Sequence, residues 1–147
     1  MASKVFVKTP VSYWIITVLG LVWFAGGASD YVMVNYKVES YLANFTETQL
    51  AYLENRPFWF SLAWGVSIWC SVLGALAMLI RSHFAPVLFF VSIFGFAAAL
   101  YYSYVVYDPA GAEFHTAFSH GMNAAIAISL LFFYVYTRRK VVTGVLT

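Results

Sequence analysis

Glu113, Thr116, His120 and Asn123 are the residues best placed to do chemistry in this chain. On a helix, separations of three, four and seven return to one side, so these four would share a face. His115 would lie on a neighbouring face with Ser119 and Met122. The residues from His120 to Arg138 would rise ~27 Å, which puts His120 near the edge of a membrane's hydrocarbon. Asp30 falls at similar depth on the first apolar segment. Asp30, Glu113, His115, His120 and Asn123 therefore form a candidate rim site. Carboxylates and imidazoles suit Zn²⁺ and related ions. The reading favoured by the spacing is an interfacial hydrogen-bond network in which the same residues satisfy polar groups at the membrane edge. The two-histidine i, i+4 spacing of helical zinc sites is missing, and the sequence assigns no metal.

Other chemistry finds little purchase. A bis-histidine haem needs imidazoles on facing helices at one depth, whereas His115 and His120 share a segment and His83 lies at the opposite end of the bundle. Cys70 sits mid-span in apolar surroundings, where thiols are inert. There is no glycine-rich phosphate loop, HExxH, paired-cysteine spacing or nucleophile elbow. No catalytic residue and no cofactor are expected. No charged residue falls near the middle of a span, which counts against a proton-coupled carrier.

The elements that hold these residues are apolar. The 147 residues are 63% hydrophobic and only 10% charged. Soluble domains carry about 25% charged residues, so this is an integral membrane protein. A net charge of +2 gives no reason to expect nucleic acid as a partner. Four spans are predicted, at about 11–34, 58–80, 84–107 and 109–137. Apolar character continues past Gly27-Ala28-Ser29 to Met33, so the first segment reads as a retained span rather than a cleaved leader. Gly26-Gly27 is a place for a bend or a close approach. Asp108-Pro109 reads as the start of the fourth helix, and Arg138-Arg139-Lys140 as its close.

The one long polar passage lies between spans one and two, at 36–57. Thr46-Glu47-Thr48-Gln49 fits a capping box, so a short surface helix is predicted from Glu47 to Glu54. Lys4, Lys8, Arg81, Arg138, Arg139 and Lys140 fall on one side of the membrane, Lys37 and Arg56 on the other. The excess of basic residues makes the first side cytoplasmic, with both termini on it. Small residues recur every fourth position at Ala63, Ser67, Ser71 and Ala75, at Gly95, Ala99 and Ser103, and at Ala117, Gly121, Ala125 and Ser129. Such rows allow backbones to approach in lipid, within the monomer or between copies. The expected fold is all-α: a single domain, 1–147, forming an antiparallel four-helix transmembrane bundle with a short extracytoplasmic interfacial helix.

Tyr41-Leu42, Phe45-Thr46, Gln49-Leu50-Ala51-Tyr52, Pro57-Phe58-Trp59, Ala63-Trp64-Gly65, Trp69, Arg81 and Ala85-Pro86-Val87 resemble a group of small bacterial four-span proteins, sometimes labelled sugar transporters. In size and topology the chain is also similar to DoxX-type proteins. The resemblance implies a bacterial inner-membrane protein and carries no catalytic motif onto these positions. The leading expectation is a non-catalytic accessory subunit or homo-oligomer, with the bilayer and other membrane proteins as partners. The alternatives are a small-solute transporter or channel, and a rim ligand or metal sensor.

Overall fold

The computed structural model describes residues 8–106 and 109–147. These are helical, without strands among the described residues. Four helices are long and apolar enough to cross a membrane: α1 (Val11–Asn35), α4 (Phe58–Leu79), α5 (Ala85–Val105) and α6 (Ala117–Val142). Two short helices, α2 (Glu39–Leu42) and α3 (Glu47–Asn55), fill the passage between α1 and α4. The chain is a multi-pass membrane protein. Lys4, Tyr107 and the expected Asp108 cap lie outside the described residues.

The helix starts follow the sequence signals. Pro10 and Pro57 occupy the N-caps of α1 and α4. Proline fits there because its missing N–H has no helical acceptor to lose. The capping box of α3 forms: Thr46 Oγ1 accepts from the Gln49 amide at 3.2 Å, and Gln49 Oε1 accepts from the Thr46 amide at 3.0 Å.

Antiparallel neighbours pack in the ring α1–α4–α5–α6, with α4 and α5 in the most extensive contact. The small-residue rows on α4 and α5 form that seam. A Cβ added at Gly95 would lie 2.7 Å from the Ala63 carbonyl oxygen and 2.8 Å from the Ser67 amide nitrogen. The Ser92 hydroxyl donates to the Ser67 carbonyl at 2.6 Å across the same seam. The ring closes more loosely between α1 and α6. There the Phe133 ring lies against Gly20, and the Trp23 indole donates to Ser129 Oγ at 3.1 Å.

The core has two parts. Tyr13, Phe24, Met78, Phe89, Leu130 and Phe133 fill the half nearer the termini. Tyr52, Phe60, Ala99 and Tyr102 fill the other, beneath α3. Buried Thr17, Ser71 and Thr137 donate to carbonyls of their own helices, so their hydroxyls are satisfied locally.

Three differences from the sequence expectation matter. First, Pro109–Phe114 is a separate 3-10 turn, and the fourth long helix begins at Ala117 instead of 109. Thr116 and Ser119 cap it reciprocally, at 3.1 and 3.0 Å, and this local cap ends the turn and starts the helix. Second, Arg138-Arg139-Lys140 does not close α6, which continues to Val142. It ends on a Schellman turn with Gly144 at φ 73°, where the Val145 amide reaches the Lys140 carbonyl. Third, α1 runs through Gly26-Gly27 unbroken, and nothing lies within 4 Å of a Cβ added at either position.

Candidate functional site

The end of the bundle that carries α2, α3 and the 3-10 turn holds all five rim residues, distributed among three separate arrangements. At the tops of α5 and α6, Asn123 Nδ2 donates to the Tyr104 hydroxyl at 3.2 Å. Tyr104 and His120 Nδ1 are 2.6 Å apart. The hydroxyl oxygen accepts from Asn123, and whether it donates to Nδ1 or accepts from it follows the His120 tautomer. The His115 ring stands edge-on to Tyr104 at 4.8 Å and lies 5.8 Å from the His120 ring. The sequence pointed to His115, His120 and Asn123 but not to Tyr104, which binds them together. Tyr104 read as one of several rim tyrosines, and only the α5–α6 contact distinguishes it.

Glu113 is held elsewhere. The break before Ala117 takes it off the α6 face, and its carboxylate accepts from Thr46 Oγ1 at 2.5 Å. Thr46 also caps α3, so this bond ties the 3-10 turn to the start of the surface helix. Gly111 supports the same junction. A Cβ there would come within 2.9 Å of the Tyr52 ring, and Phe114 packs on that ring at 5.4 Å.

Asp30 accepts a short hydrogen bond from the Tyr41 hydroxyl of α2. That bond and partial burial push the Tyr41 phenol up to about 12. Among the described residues, no three His, Cys, Asp or Glu side chains come together in a way that could hold a metal ion.

A fourth arrangement went unnoticed in the sequence. Arg56 follows α3 and precedes Pro57. Its guanidinium lies over the rings of Trp64 and Phe60, at 5.1 and 5.8 Å, and donates to Asn35 Oδ1 at 3.0 Å. Burial lowers its pKa. The spacing Arg56, Phe60, Trp64 is a helical i, i+4, i+8 series and was a usable signal. Beside it, Lys37 and Glu54 form a salt bridge at 2.8 Å, which lowers the Glu54 pKa. Between α1, α3 and the start of α4, Asn35, Lys37, Glu54 and Arg56 line a cleft of about 390 Å³.

Each arrangement can bind by hydrogen bonding or charge. No protein-family model, curated protein or solved structure matches the chain.

Proposed function

We propose that this protein is a non-catalytic component of a bacterial inner membrane, either an accessory subunit or a homo-oligomer that works through helix contacts with other membrane proteins. One observation carries the reading. The half of α6 bearing Ala117, Gly121 and Ala125 is exposed, and nothing lies within 4 Å of a Cβ added at Gly121. The equivalent rows on α4 and α5 are consumed inside the monomer, whereas this one is left over. Small residues in lipid let a second helix approach closely, and dispersion and weak hydrogen bonds then hold it. Transport of a small solute draws less support. The buried hydroxyls of Thr17, Ser71 and Thr137 bond within their own helices and do not line a path.

Extraction of native membranes in mild detergent tests the proposal. A defined complex larger than the monomer is expected. Gly121→Leu should reduce it to monomer size without lowering the thermal midpoint of the monomer. A strictly monomeric, partner-free preparation would refute the reading.

A further inference from the structure

We propose that the Arg56 cleft is a binding site for the phosphodiester headgroup of a membrane phospholipid, with the start of an acyl chain lying on its apolar wall. Three observations lead there, and none depends on the oligomer reading above.

The first is an unspent cation. Arg56 has no carboxylate partner among the described residues. Its one hydrogen bond among the described residues goes to the neutral Asn35 amide oxygen. A guanidinium carries five donors, so most of its capacity remains open. The guanidinium carbon lies 5.1 Å from the Trp64 ring centroid and 5.8 Å from the Phe60 centroid, so the rings hold the group, and its planar fork of donors suits two oxygens of one phosphate.

The second is the charge of the lining. Lys37 and Glu54 neutralise each other, and Arg56 supplies the remaining positive charge. A single positive charge complements a phosphodiester, which carries one negative charge.

The third is position and shape. Asn35 ends α1 and Phe58 begins α4, so the cleft opens at the level where headgroups meet hydrocarbon. Leu42, Leu50, Leu53 and Phe58 form its apolar side. A volume of about 390 Å³ takes a headgroup and the first methylenes of one chain, at the small end of ordinary ligand sites. A soluble anion would use the cation and leave that wall idle.

The full chain, purified in mild detergent and stripped of lipid, would be titrated and followed by native mass spectrometry. The probes are phosphatidylglycerol, a diacylglycerol with the same acyl chains, and glycerol phosphate. One phosphatidylglycerol per chain should bind saturably, about tenfold tighter than diacylglycerol, which lacks the bidentate charged contact, and about tenfold tighter than glycerol phosphate, which lacks the chain that the apolar wall covers. Arg56→Gln should remove about that tenfold advantage. Arg56→Lys keeps the charge, loses the fork and should forfeit only part of it, so this variant answers the question should Arg56→Gln fail to fold. Arg138→Gln, at the opposite end of the bundle, should change nothing. Unchanged binding in folded Arg56→Gln or in Arg56→Lys overturns the proposal, as does diacylglycerol binding equally well. Glycerol phosphate binding as tightly as the lipid would show a soluble-anion site instead. Loss of binding in Arg138→Gln would place the lipid elsewhere.

Discussion

Tyr41 shows how a single contact can change a residue's chemistry at this membrane rim. Its hydroxyl donates to the Asp30 carboxylate, and the phenol is pushed from 10.0 up to about 12, chiefly by that bond and then by burial. The protonated phenol is the form the fold prefers. Its contribution to stability is therefore fully present below pH 10 and is lost as pH rises towards 12. In the alkaline phenolate absorbance, the component that disappears in Tyr41→Phe should titrate near the upper value. Asp30→Asn should move that component back towards 10, because the repelling charge is gone while an acceptor remains. The bond is part-buried, so Tyr41→Phe should cost only about 1 kcal/mol in detergent unfolding. Asp30 was legible in the sequence as a rim residue. Its partner was not, because α2 reads as featureless loop and only the return of the chain over α1 brings Tyr41 to it.

Among the elements, glycines separate the seams that are used from the surface that is free. Gly95→Ala would push a methyl into the backbone of α4, which cannot yield as a side chain would. We expect a loss of about 1–3 kcal/mol or more, read as a lower thermal midpoint in detergent. Gly121→Ala meets nothing within 4 Å and should gain up to about 1 kcal/mol from helix propensity. Equal effects at the two positions would contradict this packing. The end of the chain is a second element with more structure than its sequence suggested. Arg81 takes φ 56° after α4, its Nε donates to the Val145 carbonyl at 2.8 Å, and its own carbonyl accepts from the Thr147 amide at 2.8 Å. Leu146 is 2% exposed. Leu146→Ala should therefore cost about 2–5 kcal/mol, as for a fully buried leucine, and hydrogen exchange should rise in the Arg81 turn. A stretch read as a short tail after a run of basic residues is in fact a clamped part of the core.

For the whole molecule, the antiparallel ring puts residue 8, the Arg81 turn and the tail at one end, and α2, α3 and the 3-10 turn at the other. The excess of basic residues predicts that the first end faces the cytoplasm. In a Cys70→Ser background, Glu47→Cys should react with an impermeant maleimide added outside spheroplasts. Ser82→Cys should react only after the membrane is opened. The reverse pattern would invert the topology and put the Arg56 cleft in the cytoplasmic leaflet, where its phosphodiester chemistry would be unchanged.

By itself the sequence determined the class and most of the span limits. Apolar length, prolines at two helix starts and the Thr46–Gln49 capping box are local signals, and local signals survive folding because their energies are settled within a few residues. It also named the rim residues but placed Glu113 on the wrong element. Continuous apolar periodicity hid the competing cap at Thr116–Ser119, which cuts the fourth segment in two. Which polar groups meet was decided only in three dimensions. Asp30 with Tyr41, Glu113 with Thr46 and His120 with Tyr104 are pairs set by helix packing and by the return of the chain across the end of the bundle. The same holds for Arg56. Its charge and its aromatic neighbours are written in the sequence. That no carboxylate among the described residues reaches it, and that it lines a cleft with an apolar wall, follows from how α1, α3 and α4 close around it.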